Sequence, residues 1–557
     1  MFDGKTYDKI YENFRWDIPE KLNIGVEICD KWAQDKYRIA LIHIDRHSQV
    51  SKYSYWELKN LSSRLANSLC DLGVARGDRV AVFLPNTPET LISHIAIYKT
   101  GAILVPLLTL FGSMAIEYRL RSSSAKVLIT DGENLLKVLE VRENLPDLEV
   151  LIVVDGHKNE DKQTDILDFW NTLEKCSRHF DVIDTGSEDP ALIIYTSGTT
   201  GPPKGALHGH KLLPSEVSNL GFNLNLFPQP GDLLWTHCDW AYVAGSFTAL
   251  YPTLNNGLSV VNYERTGRFN PDEAFRIISE HGVTVIFAIA SALRIMMEYV
   301  EHPSEKYDLS ELRSIAVGGE TMGHDLLEWG RKELGVELNE NYGLTECDYS
   351  ICNCSAVMEI REGSMGRAIP GHVVEIIDDS GNVLPPGTYG QIAIRKPNPS
   401  IFIGYWNDPE ATRARFIDDW LCTGDYATKD VDGYFWFTGR KDDIIESGGY
   451  RIGPGEIEAA LKRHDSVTDA AVIGIADAIK GQVVKAFVTV KSGVVADKHL
   501  EDALRGHVRN KLEAHAYPKE IEFLDELPVG NTGKVMKQEL RRREREKAAH
   551  NSKGEIS

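Results

Sequence analysis

The chain has 557 residues, 42% hydrophobic and 26% charged, the balance of an ordinary globular enzyme and not of a collagen, a disordered tail or a disulfide-stapled miniprotein. Its 61 Lys and Arg against 82 Asp and Glu leave a net charge of −21, which repels phosphate backbones and anionic membranes and argues against a nucleic-acid role. The length predicts roughly three or four domains, or one large domain with a smaller one.

Along the chain, apolar residues three and four apart predict an amphipathic helix over 55–72, stopped by Gly73. A buried strand follows at 79–84, a helix at 88–98, and strands at 102–105, 127–130 and 150–154. The rhythm resumes with a strand at 258–261, a helix with an acidic first turn at 271–281, and strands at 283–288 and 312–317. Strands alternating with helices predict α/β layers with largely parallel sheets. From about 363 the strands shorten between Gly and Pro, at 373–377, 390–395 and 434–437, which reads as a small antiparallel β-subdomain. Beyond lie a helix at 455–463, two strands within 467–490 separated by a turn near 476–481, a helix at 499–512, a strand at 521–524 and a charged terminal helix from 540. The fold class is therefore α/β: a large N-terminal domain over 1–441, its β-subdomain at 363–441, and a small α+β C-terminal domain over 442–557.

The eight cysteines are scattered, and Cys347, Cys352 and Cys354 lack the paired spacing of a zinc site, so they read as reduced, buried thiols. The start, MFDGKTYDKI, carries charges where a secretory leader needs an apolar run. Of two uncharged stretches, 100–116 is short and contains Pro106, and 240–263 is broken by Pro252 and Asn255-Asn256-Gly257. A soluble, cytoplasmic protein without a membrane span is expected; homodimerisation is left open.

The chemistry concentrates in Tyr195-Thr196-Ser197-Gly198-Thr199-Thr200-Gly201-Pro202-Pro203-Lys204-Gly205, which follows the apolar run 191–194. Glycines let backbone N–H groups approach an anion, hydroxyls donate and Lys204 neutralises, which is what a polyphosphate requires. The string does not have Walker spacing, because Pro203 precedes Lys204 and Gly205 follows it. Further on, Tyr342 offers a flat face for a base, or is a core tyrosine. Thr345-Glu346 is either a helix start or a phosphate donor beside a hard oxygen ligand suited to Mg²⁺.

This string resembles the phosphate loop of the adenylate-forming superfamily, which includes acyl-CoA synthetases, adenylation domains of peptide synthetases and firefly luciferase. Four more motifs follow in the family's order: Asn341-Tyr342-Gly343-Leu344-Thr345-Glu346, Trp420-Leu421-Cys422-Thr423-Gly424-Asp425, YFWFTGRKDDIIESGGYRIGPGEIE at 434–458, and Pro528-Val529-Gly530-Asn531-Thr532-Gly533-Lys534. The resemblance spans about 20–545 and is greatest to the medium-chain acyl-CoA and benzoate-CoA ligase branch.

The resemblance implies a nucleotide site for ATP and AMP made of Thr196, Ser197, Gly198, Thr199, Thr200, Lys204, Gly319, Glu320, Thr321, Asn341, Tyr342, Gly343, Asp425 and Arg440. Asp425 would accept the ribose hydroxyls, unless it is only a turn aspartate, and Arg440 would bridge ribose and phosphate. Glu346 would hold Mg²⁺ and Thr345 would donate to the α-phosphate. Lys534 is the implied catalytic lysine and Asp442 the hinge of a mobile small domain, though 441–443 alone also reads as a solvated charge run. Rotation would bring Gly448, Gly449, Tyr450 and Arg451 to the coenzyme A channel.

The implied activity is an AMP-forming acyl-CoA ligase acting on a medium-chain, branched, alicyclic or aromatic carboxylate. The alternatives are loading of a carrier protein and running in the ATP-forming direction. Candidate acyl walls are Trp240, Val243, Ala244, Gly245, Ala288, Ala290 and Leu344, with Gly343 as an open floor where acetate-specific relatives carry Trp, so acetate is expected to be poor. Ala290, Asp239 and Leu344 depart from the residues common in relatives, all on the acyl side.

Overall fold

The computed structural model describes residues 2, 4–155, 165–196, 202–265, 267–319, 322–440, 443, 445–447, 450–477, 481–511, 517–530 and 535–554. Two compact units are present, 1–374 with 395–421, and 375–394 with 422–557. The boundary expected at 441/442 lies inside the second unit, and the hinge candidate Asp442 lies outside the described residues.

The first unit is built on two large sheets. One runs in the order Gly404–Tyr405, Lys204–Gly209, Pro190–Thr196, Ile103–Pro106, Arg79–Phe83, Val127–Thr130, Val150–Val153 and Ile166–Asp168. From Pro190–Thr196 onward its pairs are parallel, and its strands are near-continuous apolar runs because helices cover both faces. The edge made by Pro190–Thr196, Lys204–Gly209 and Gly404–Tyr405 is antiparallel. The other sheet runs Arg367–Ala368, Asp348–Cys352, Leu338–Leu344, Ser314–Gly318, Val285–Ile289, Leu234–Thr236, Val260–Tyr263, Ile39–Ile44 and Val50–Ser54, parallel in the middle and antiparallel at both edges. The predicted parallel interior is present; the antiparallel edges carry the residues of interest.

Local signals set the helix ends. Helix Tyr55–Asp71 starts on a capping box in which Ser54 and Glu57 satisfy each other's backbone N–H groups. Helix Pro271–His281 is capped by the Asn270 side chain, has Pro at its first position, and stops at Gly282 with φ +64. The second unit pairs Trp420–Lys429 with Phe435–Arg440 antiparallel. It then forms a sheet from Tyr450–Ile452, Ile445–Ser447, Gly481–Val490 and Val467–Asp477, with Glu520–Phe523 added in parallel. Helices Pro454–Lys462 and Lys498–Lys511 cover this sheet over a core of Ile445, Ile457, Leu461, Val472 and Leu504. Among the described residues no helix is long and apolar enough to cross a membrane.

Candidate active site

The hairpin formed by Pro190–Thr196 and Lys204–Gly209 organises the first unit's site. Thr196 stands opposite Lys204 and Tyr195 opposite Gly205, so the loop leaves and rejoins the sheet at one point. Ser197, Gly198, Thr199 and Thr200 lie outside the described residues. Gly205 is glycine for a packing reason: an added Cβ would stand 2.7 Å from Ile193 Cγ2. On the hairpin's outer edge Tyr405 pairs with Ala206, and Lys204 Nζ lies 5.3 Å from the centre of the Tyr405 ring.

Tyr405 O–H donates to Glu346 Oε1, and Arg415 Nη2 stands 3.5 Å from the same oxygen. Burial and the Glu346 carboxylate push the Tyr405 phenol well above its ordinary range, so it stays a donor. The backbone is fixed as well. Phe402 N donates to Glu346 O at 2.9 Å, and His208 Nε2 meets Thr345 O at 2.8 Å. The carbonyl only accepts, so His208 Nε2 carries the proton; burial lowers its pKa to about 4, keeping it neutral. The structure thus brings Lys204, Thr345 and Glu346 together around Tyr405. Glu346 is a single oriented carboxylate, and the described residues hold no group of three His, Cys, Asp or Glu that could hold a metal ion. That donor set fits Mg²⁺, which takes one or two carboxylates and completes its shell with phosphate oxygens and water.

Beside it, Asn341, Tyr342, Gly343 and Leu344 end strand Leu338–Leu344, which is bulged between Tyr342 and Gly343. Asn341 Nδ2 donates to Asn223 Oδ1 at 2.8 Å, and a Cβ on Gly318 would stand 2.5 Å from Asn341 Oδ1. Gly319 takes φ +85, a left-handed turn open to glycine, directly after Ser314–Gly318; Glu320 and Thr321 lie outside the described residues. In the second unit Asp425 and Arg440 face each other across the strand pair, with Arg440 Nε 3.4 Å from Asp425 Oδ1. Tyr450 and Arg451 lie on the backbone of strand Tyr450–Ile452, while Gly448, Gly449 and Lys534 lie outside the described residues.

The acyl-wall candidates differ in their surroundings. Trp240 is 1% exposed and packs in the main core with Phe247 and Tyr251; the aromatic that this turn presents is Tyr242, 38% exposed. Gly245 and Ala290 are buried, a Cβ on Gly245 meeting Asp239 O at 2.1 Å. Ala288 is buried in the second core, whereas Val243, Ala244 and Leu344 are half-buried. Gly343 cannot serve as a floor that a bulky side chain would simply close. Its Cβ would stand 2.1 Å from Asp348 O and 2.5 Å from Tyr349 Cα, so any side chain must first displace the neighbouring strand.

Sequence reasoning missed Tyr405, Arg415, His208 and Tyr242, because nothing in their local sequence marks them. It also missed the buried acids behind the site. Asp348, at φ +41, accepts from Thr248 Oγ1 at 2.9 Å, and burial beside Asp348 pushes Glu216 well up. The cysteines at 347, 352 and 354 are buried free thiols.

An antiparallel hairpin edge on an otherwise parallel α/β sheet, with Lys204 and the oriented Glu346 carboxylate meeting around Tyr405, fits a nucleotide-binding enzyme of the adenylate-forming class. The chain belongs to the AMP-binding enzyme family, whose profile matches residues 29–406; the profile of the AMP-binding enzyme C-terminal domain matches 456–534. It is 35% identical over 552 residues to an acetyl-coenzyme A synthetase of Bacillus subtilis (strain 168), covering 96% of this chain and 95% of that one. It is 34% identical to the mitochondrial acyl-coenzyme A synthetase ACSM4 of Homo sapiens, with 95% and 91% covered. The fold matches the crystal structure of the anthranilate CoA ligase AuaEII in complex with anthranoyl-AMP at a TM-score of 0.86 and 28% identity, over 96% of this chain and 99% of that one.

Proposed function

We propose the following reading of the site. The chain is an AMP-forming acyl-CoA ligase that converts a carboxylate, ATP and coenzyme A to acyl-CoA, AMP and pyrophosphate through an acyl-adenylate. The observation that carries it is the grouping of Lys204, Thr345 and Glu346 on one hairpin-centred framework.

In the first half-reaction a carboxylate oxygen bonds to the α-phosphorus of ATP as the bond to pyrophosphate breaks. Charge builds on the non-bridging oxygens, so catalysis is positioning and electrostatic stabilisation. Lys204 and the loop that begins at Thr196 would hold the polyphosphate, and Thr345 would donate to the α-phosphate. Glu346, oriented by Tyr405 and Arg415, would hold Mg²⁺, which neutralises phosphate charge when bound. Asp425 and Arg440 would take the ribose, and Lys534 would contact the reacting phosphate. In the second half-reaction the coenzyme A sulfur bonds to the acyl carbon, the C–O bond breaks and AMP leaves. Rotation at Asp442 would withdraw Lys534 and bring Gly448, Gly449, Tyr450 and Arg451 forward, a gating step. The reading includes a cytoplasmic enzyme whose partners are small molecules.

For the acid we favour a medium-chain, branched, alicyclic or aromatic monocarboxylate. Two family relatives carry acetyl and anthranilate in their names, so the family spans both sizes. The test is a panel from acetate to octanoate, with branched acids, benzoate and cyclohexanecarboxylate, given ATP, Mg²⁺ and coenzyme A and read by mass spectrometry. Acyl-CoA with AMP is expected. Lys534→Ala should nearly abolish adenylation yet spare thioester formation from supplied acyl-adenylate. Adenylate without thioester would favour a carrier-protein acceptor, and equal loss of both half-reactions in Lys534→Ala would refute its assigned role.

A further inference from the structure

Lys204 and Glu346 come from different sheets, so their spacing is set by whatever crosses between the sheets. Lys204 begins strand Lys204–Gly209 of the first sheet, whereas Glu346 lies in the turn between Leu338–Leu344 and Asp348–Cys352 of the second. The pairing of those two strands ends with Leu344 opposite Asp348, so the carbonyls of Thr345 and Glu346 fall outside its ladder.

Both carbonyls are taken up from the first sheet. His208 Nε2 donates to Thr345 O at 2.8 Å and Phe402 N to Glu346 O at 2.9 Å. These are the two peptide planes on either side of the Glu346 Cα. Holding both fixes the backbone dihedrals between them, and with them the direction in which the Glu346 side chain leaves the chain. Tyr405 O–H then holds the far end at Oε1.

His208 is 1% exposed and stands four positions from Lys204 on one strand, so the two side chains share a face. Tyr405, opposite Ala206, shares it as well. The Phe402 ring lies 6.4 Å from that of His208 and 5.0 Å from that of Tyr405, centre to centre. An apolar side chain could fill this space; what the imidazole adds is a donor for Thr345 O.

We propose that His208 is a positioning residue for the Glu346 carboxylate. By holding the Thr345–Glu346 peptide against the strand that carries Lys204, it sets where the carboxylate, and a Mg²⁺ ion held on it, would stand. It acts through the Thr345 backbone and touches no substrate. The inference rests on the ligase reading above and assigns a part in it to a residue outside the site residues that the family resemblance implies.

The test uses the full chain with His208→Gln, whose amide N–H reaches the position of Nε2, and with His208→Met and His208→Asn, which place no donor there. Mn²⁺ binding is measured by electron paramagnetic resonance with α,β-methylene-ATP, without acid or coenzyme A. Adenosine affinity, the melting temperature and the Mg²⁺ half-saturation of AMP formation are measured alongside. His208→Met and His208→Asn should weaken Mn²⁺ binding about tenfold, raise the Mg²⁺ half-saturation in step, and leave adenosine, which has no phosphate, within about twofold. His208→Gln should recover most of the Mn²⁺ affinity. Equal losses in all three variants, a parallel loss of adenosine affinity, or a lowered melting temperature with Mn²⁺ affinity intact would each overturn the positioning role. If His208→Met does not fold, His208→Asn decides the same point. An unaltered protein that forms no AMP with any acid would instead sink the ligase reading, whatever the Mn²⁺ result.

Discussion

Gly343→Ala is the most informative single change. Ordinary contact begins at 3.4 Å and the new Cβ would stand at 2.1 Å from Asp348 O, so the strand Asp348–Cys352 must give by about 1.3 Å. The obstacle is backbone, and it belongs to a segment whose side chains are buried: Asp348 is tied to Thr248, and Tyr349 packs in a core with Tyr7 and Phe222. Overpacking that moves backbone costs about 3 kcal/mol, which for a unit of this size lowers the melting temperature by about 3–4 °C. The displaced strand leads directly from Thr345 and Glu346, so AMP formation should fall at least tenfold for every acid, with no gain for acetate. The assay pairs thermal unfolding with AMP release on acetate, octanoate and benzoate. A variant with an unchanged melting temperature and a shift of preference toward acetate would refute this reasoning and restore Gly343 as an open pocket floor.

Two further outcomes follow from the same geometry. Tyr405→Phe removes the O–H donor from Glu346 Oε1 and leaves Arg415 alone to hold it; a hydrogen bond to a charged group is worth about 1.5–3 kcal/mol. AMP formation should fall roughly tenfold or more with a changed Mg²⁺ half-saturation, and an unchanged Mg²⁺ dependence would show that Tyr405 does not orient the carboxylate. Glu340 is buried, accepts from Met322 N at 3.3 Å, and burial raises its pKa to about 8. Its folded-state pKa exceeds the unfolded value, so the folded form holds a proton that the unfolded chain gives up, and stability is lost as pH rises from about 4.5 toward 8. Glu340→Gln cannot ionise, so its stability relative to the unaltered protein should rise steadily across that window in denaturant titrations. A difference independent of pH would mean that Glu340 is already ionised in the fold.

The sequence determined what local physics encodes. Alternating apolar runs and helical periodicity marked the layers, because burying a strand or a helix face requires those patterns wherever they fold. The Ser54–Glu57 capping box and the Asn270-Pro271 start fixed helix ends without tertiary help. The string from Thr196 to Lys204 is a candidate phosphate loop in sequence because backbone approach, hydroxyl donors and one cation must be adjacent in sequence to form a cradle, and the structure describes its two ends, Thr196 opposite Lys204. What surrounds them was decided only by folding. Tyr405 and Arg415 reach Glu346 from 59 and 69 positions away, and neither carries a local pattern that announces its partner. The acyl side is hard to read in sequence for the same reason. A tryptophan in a turn reads alike whether it faces a pocket or the core, and a glycine reads alike whether it opens space or lets two strands touch. Only the sheet register, which sets Gly343 against Tyr349 and its carbonyl neighbour, separates those cases.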